Sequence, residues 1–268
     1  MDMTSRVDHR PSSNLHGQIL LCPTRKEPAR ELVIAAWTAA GGRVIRLTSA
    51  WEAALRSQER VSCYGGVAFC KALADRLDAD LPEPEPKLLS QIDPRWTRRA
   101  IEIRSIGSLS PSDFPAFLKS LDYELFPSAV YTSLEHLRTQ CGTIPASTLA
   151  LISEPVSLLA EARALFCRGL AVSLTPYWRA TPRLPRGARP FLEDLLPHLV
   201  LLAACTVDIG LLSSGQWALV ELNPIWAANP LGSDLGVFIQ CLAAATLEKK
   251  PSSCRGLRQG KQEVRYGC

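Results

Sequence analysis

Short apolar runs bounded by Gly and Pro, and longer stretches in which apolar residues recur every three or four positions, divide this chain into strands and helices. Residues 18–22, Gln-Ile-Leu-Leu-Cys, read as a buried strand; a helix follows at about 27–40 and is stopped by Gly41-Gly42 before a strand at 43–47. A third strand, 61–64, runs through Gly65-Gly66 into a periodic helix at 67–77. Strands alternating with helices predict a small parallel sheet. The paired glycines before that last helix suit a bound anion or, more simply, a tight turn.

Beyond Leu81-Pro-Glu-Pro-Glu-Pro86, a stiff extended segment, the pattern changes. A short helix near 94–100 and a strand at 101–104 lead into a β-rich region with strands near 116–119, 129–131 and 149–152. Residues 163–167 and 171–175 read as antiparallel strands turning at Arg168-Gly169. A helix around 191–204 and a last one at 235–247, capped by Ser233 or Asp234, complete the pattern. The expected fold class is therefore an α/β N-terminal subdomain followed by α+β lobes with antiparallel sheets. The expected limits are a disordered start at 1–16, an α/β domain at 17–110, a second domain at 111–247 and a disordered basic tail at 248–268.

Two alternating runs late in the chain carry the chemistry. Thr206-Val-Asp-Ile-Gly-Leu-Leu212 and Gln216-Trp-Ala-Leu-Val-Glu-Leu-Asn223 flank Ser213-Ser214-Gly215. A turn centred between Ser214 and Gly215 places Asp208 opposite Glu221, with Asn223 on the same face. Like charges opposed across a sheet repel, so the arrangement calls for a positive charge between them. An all-oxygen set with few protein donors suits Mg²⁺ completed by substrate phosphates. The plainer alternative is a surface hairpin with two solvated acids.

Charge and cysteine usage narrow the classes. The net charge of +4 lies wholly in residues 248–268, where six basic residues face two acidic ones, so the rest of the chain is neutral. That argues against nucleic-acid binding, which needs a basic surface. The nine cysteines are odd in number and form no C-x-x-C pair, which points away from zinc or a disulfide framework and towards buried free thiols in a reducing cytoplasm. The polar start carries no secretory pattern, and the longest apolar stretch, 195–212, is broken by Pro197, His198 and Asp208, so neither export nor membrane insertion is expected. A phosphate-binding G-x-x-x-x-G-K-[ST] loop, a G-x-S-x-G elbow and an H-E-x-x-H pair are absent from the sequence, and the four histidines show no ligand spacing.

The order of these pieces, from about residue 17 to 247, resembles the ATP-grasp superfamily, and within it the short stand-alone clade with two arginines and a lysine in its nucleotide pocket. T-V-D-I-G-L-L-S-S-G-Q-W-A-L-V-E-L-N-P resembles that family's metal hairpin, which implies Asp208, Glu221 and Asn223 as Mg²⁺ ligands against the phosphates of ATP. Phe117-Leu-Lys119, Glu161-Ala-Arg163 and Thr175-Pro-Tyr-Trp-Arg179 are similar to its phosphate-binding strands, implying Lys119, Arg163 and Arg179 as cationic contacts, with Glu161 beside them. Of these, Arg163 and Arg179 are also the implied catalytic cations. Ser153-Glu154-Pro155-Val156 falls at the family's adenine-binding hinge, implying Glu154 and Val156 as nucleotide contacts.

The resemblance implies transfer of the γ-phosphoryl of ATP to a carboxylate, and attack of an amine on the acylphosphate to give an amide. One position departs from it: Glu124 stands where a basic residue is expected, so Arg183, Arg186 or Arg189 of the basic loop 179–190 would have to compensate, and closure of that loop over ATP is a further expectation. The rival is a nucleotide-binding interaction module impaired in catalysis; a metal-dependent nuclease or phosphatase is the weaker third reading.

Overall fold

The computed structural model describes residues 14–53, 59–121, 125–178, 184–199, 201 and 204–249. Strand β1 (Gln18–Pro23) leads to helix α1 (Pro28–Ala39) and strand β2 (Arg43–Leu47). Gly41 takes a positive φ of 86°, and a Cβ on Gly42 would lie 2.2 Å from the Trp37 indole, so glycine is required at both positions. Strand β3 (Arg60–Cys63) and helix α2 (Val67–Arg76) follow, then the two-residue β4 (Ala79–Asp80) and short helices α3 (Leu88–Gln91) and α4 (Pro94–Thr97). The first sheet has the order β2-β1-β3 and both pairings are parallel, as the alternation of elements predicts.

The second sheet is antiparallel, built from β5 (Ile101–Ser105), β6 (Ala116–Ser120), β7 (Ala129–Tyr131) and, after helix α5 (Leu134–Cys141), β8 (Leu149–Ser153), in the order β5-β8-β6-β7. The third is also antiparallel: β9 (Leu158–Cys167), β10 (Leu170–Trp178), β11 (Cys205–Leu212) and β12 (Trp217–Pro224), in the order β10-β9-β11-β12. Between β10 and β11 lies helix α6 (Ala188–Leu195). It ends well short of the expected 204 because Pro197, which has no N–H to donate, falls in a single 3₁₀ turn, Leu196–His198. Helix α5 lies outside the expected elements: its polar sequence has a weak apolar stripe, and only Leu137 is buried.

Packing does not follow the expected border at 110/111. Strand β5, before that border, is the edge of the second sheet. Helix α7 (Leu235–Ala244), after it, packs on the first sheet, where Phe238, Ile239 and Leu242 share a core with Leu20, Val33 and Trp37. Local periodicity marks elements but carries no information on which sheet a helix covers. The same core takes in Trp226, fully buried, whose carbonyl accepts from Gly65 N at 3.0 Å and whose indole Nε1 donates to the Pro82 carbonyl at 2.7 Å. Residues 82–86 are thus fastened rather than free.

The expected disordered ends lie outside the described residues except at their inner edges, where order extends further than expected. Leu15 is buried with its N–H on the Ala40 carbonyl at 2.8 Å, and β13 (Glu248–Lys249) pairs antiparallel with β4. Seven described cysteines are free, and among the described residues no helix is long and apolar enough to cross a membrane.

Candidate functional site

The third sheet aligns Thr175, Arg163, Asp208 and Glu221 as successive cross-strand neighbours. Asp208 faces Glu221 as expected, but not for the expected reason. The ladder closes on Leu212 and Gln216, joined by a 2.8 Å bond, so the turn is centred on Ser214, with Gly215 at a positive φ of 82°. That register alone would set Asp208 against Val220. An irregularity between Asp208 and Ile209 leaves Val220 as an extra residue in β12, and this bulge restores the Asp208–Glu221 pair.

Arg163 meets Asp208 as a fork, Nε donating to Oδ1 at 2.7 Å and Nη2 to Oδ2 at 2.5 Å. Its remaining Nη1 donates to the Asn229 carbonyl, and its guanidinium carbon lies 5.5 Å from the centre of the Tyr177 ring. Only 6% and 2% of the two side chains are exposed. Burial works against the Arg163 charge, but the carboxylate in its fork outweighs that and holds the guanidinium pKa above its ordinary value.

Lys119 reaches the same row from β6 of the second sheet. Its Nζ donates to Glu221 Oε1 and lies 3.4 Å from Asn223 Oδ1. Burial raises the Glu221 carboxyl, but the Lys119 charge and hydrogen bond prevail and leave it below the usual carboxylate range. Glu161, two positions before Arg163, behaves oppositely: burial, reinforced by the charges of Asp208 and Glu221, lifts its pKa although the Tyr177 hydroxyl donates to Oε1 at 3.0 Å.

A cavity of about 340 Å³ gathers Lys119, Glu154, Val156, Glu161 and Glu221 in its lining. It runs between the end of β8 and the third sheet, and its volume falls in the range of small-molecule sites, about 300–1,000 Å³. Arg163 and Asp208 stand behind this lining, and Asn223 lines an adjoining cavity instead. Arg179, Arg183 and Glu124 lie outside the described residues. Of the other loop arginines, Arg186 offers its carbonyl to Trp217 Nε1 at 3.0 Å, and both it and Arg189 are exposed.

Two residues of the site carry no sequence signal of their own. Arg99 is buried in the wall of the cavity and donates to Ser153 Oγ and to the carbonyls of Thr97, Leu219 and Val220 at 3.1–3.3 Å, tying the bulge of β12 to the second sheet. Tyr177 secures both Glu161 and Arg163. An arginine in a polar stretch and a tyrosine in a strand look like any others until distant segments meet them.

The donor set can be weighed against a hard cation. The Lys119 ammonium already stands between the oxygens of Glu221 and Asn223, so those two side chains accommodate a positive charge. Asp208, with both oxygens in the Arg163 fork, fits only by sharing them. Among the described residues no group of three or more His, Cys, Asp or Glu is placed to hold a metal.

Known proteins of this shape support the architecture. The fold is similar to that of purK, N5-carboxyaminoimidazole ribonucleotide synthetase, solved as its ADP complex, with TM-score 0.52 and 13% identity over 88% of this chain and 80% of that one. A RimK domain ATP-grasp protein from Sphaerobacter thermophilus gives TM-score 0.49 and 14% identity, covering 85% of this chain and 98% of that one. No curated protein sequence matches. The sequence pattern of the ATP-grasp domain, family 2 of the two-arginine-and-lysine clade, matches residues 96–241, which span both antiparallel sheets and every described residue of the site, and the chain belongs to that family.

Proposed function

We propose that the protein is an ATP- and Mg²⁺-dependent carboxylate–amine ligase. The observation that carries this reading is the single cavity that extends from Glu154 and Val156, at the crossing between the antiparallel sheets, to the Lys119–Glu221 pair. The purine and ribose of ATP would lie towards the crossing, where backbone groups can read the base edge, and the phosphates towards Lys119. A neighbour of the same fold was solved with ADP, in keeping with a nucleotide in this position.

Lys119, as a compact point charge, would move from Glu221 to a phosphate oxygen. Arg179 is proposed as a second cation, and Arg163 as a fixed positive charge beneath the phosphates that also keeps Asp208 in place. Glu221 and Asn223, with Asp208 in part, would hold Mg²⁺, which supplies charge neutralisation on the phosphates when bound. Glu161, in the same wall, would orient the cations rather than touch the phosphates.

A carboxylate oxygen of the substrate would attack the γ-phosphorus with ADP leaving, and an amine would then attack the acyl carbon with phosphate leaving. No protein nucleophile is needed, because fixed positive groups stabilise the charge that spreads over the transferring phosphoryl oxygens.

The test is incubation of the chain with ATP, Mg²⁺ and pools of amino acids and peptides, followed by mass spectrometry. The expected result is ADP together with a product lighter than its two precursors by one water. Tight ATP binding without ADP under any pairing would instead favour a nucleotide-binding module, and absence of ATP binding would overturn both.

A further inference from the structure

A second cavity, of about 160 Å³, meets the first at Lys119 and Glu221 and adds Glu83, Glu85, Asn223 and Trp226 to its lining. It is too small for another nucleotide and suits a compact ligand. Its position beside the residues assigned to the phosphate end gives it a use only if a second reactant binds there.

We propose that this second cavity binds the amine substrate as an ammonium-bearing compound, held by Glu85 and Glu83 against Trp226. The assignment rests on the ligase reading for the word substrate, but the site's chemistry stands on its own residues.

Charge is the first argument. Three carboxylates, Glu83, Glu85 and Glu221, line the space, and its one lining cation, Lys119, is committed to Glu221. A ligand carboxylate entering here would meet repulsion from each acid, whereas an ammonium would be drawn in. Glu85 is exposed and has no side-chain partner among the described residues, so its charge is available.

The protein itself supplies the second argument. Lys71 places its own ammonium on Glu83, with Nζ 5.6 Å from the centre of the Trp226 ring. A carboxylate and an indole face are thus already holding an ammonium at the edge of this cavity, and that pairing is the recognition an alkylammonium ligand needs. Presentation is stiff as well. Both acids sit in the alternating proline segment, where each proline fixes φ, and the Pro82 carbonyl is pinned by Trp226 Nε1 while the Glu85 carbonyl accepts from Leu88 N at 2.9 Å.

Calorimetry on the full chain with 1,5-diaminopentane and with glutarate, which match in length and differ in charge, tests the site; binding of a non-hydrolysable ATP analogue with Mg²⁺ is measured on the same samples. The diamine is expected to bind at least about tenfold more tightly than glutarate, and the Glu83→Gln/Glu85→Gln double variant to lose about tenfold in diamine affinity with its affinity for the analogue unchanged. Single Glu85→Gln, which leaves the Lys71–Glu83 pair intact, should lose about threefold, as an exposed charge allows. Glutarate binding as tightly as the diamine, or both variants binding the diamine like the parent, would overturn the proposal. A parent chain that binds the analogue but not the diamine defeats the ammonium site alone; one that binds the diamine but not the analogue upholds that site and defeats the ligase reading.

Discussion

Two ion pairs stand side by side in the third sheet and differ in nearly every physical respect. Arg163–Asp208 is forked, almost fully buried and held at its back by the Asn229 carbonyl and the Tyr177 ring. Lys119–Glu221 joins two different sheets through a single ammonium, leaves 23% and 31% of its side chains exposed, and lines both cavities. The first is locked in its fork and behaves as scaffold. The second faces open volume and can exchange its partner for a ligand at modest cost, because solvent already screens it. A site that must bind a highly charged substrate needs both kinds: cations fixed in place, and cations occupied but releasable.

The sharpest way to break this comparison is Arg163→Ala. It leaves the Asp208 carboxylate buried and unpaired, and should cost about 3–5 kcal/mol in a urea titration. Lys119→Ala should cost no more than about 1 kcal/mol by the same measure, and equal losses would show that the two pairs are equivalent. Next in size, Glu221→Ala should lower Mg²⁺-dependent ADP formation by about 100-fold or more while melting within a few degrees of the parent. Unchanged turnover in the folded variant would remove Glu221 from the metal site. Tyr177→Phe deletes one hydrogen bond to Glu161 and should cost about 1 kcal/mol; because that bond lowers the Glu161 pKa, titration followed by NMR should find the carboxyl higher still.

The smallest effect is one of pH, and its sign differs between the two glutamates. Glu221 has a folded pKa below its ordinary 4.5, so its contribution to stability is present above pH 4.5 and is lost as pH falls through the folded value. Glu161 has a folded pKa above 4.5, so its contribution is fully present below pH 4.5 and is lost as pH rises through the folded value. Glu161→Gln should therefore gain stability relative to the parent between pH 4.5 and 7, and Glu221→Gln should lose it. Urea midpoints across that range would show the opposite slopes, and parallel slopes would contradict the assignment.

How far the sequence reveals this site varies from residue to residue. The hairpin pair Asp208 and Glu221 was legible because alternation and a short turn bring near neighbours together, although two irregularities, the turn centred on Ser214 and the bulge at Val220, had to cancel for the simple register to hold. Lys119, Glu154, Val156 and Glu161 were reached only through their order along the chain, which resembles a family, and they gather around one cavity. Arg99 was not legible, since its role consists of carbonyls that belong to a strand more than a hundred residues away. The same holds for the acidic second cavity, where the proline-rich segment reads as a spacer until Trp226 is found beneath it.

By itself, then, the sequence determined the kinds of elements, the parallel first sheet and the opposition of two acids across one hairpin, because side-chain periodicity and turn geometry act over a few residues. Only the tertiary structure decided that Asp208 answers to Arg163, that Lys119 crosses from another sheet to Glu221, and that the last helix covers the first sheet. Those choices rest on burial and charge pairing between segments whose separation along the chain leaves no trace in local pattern.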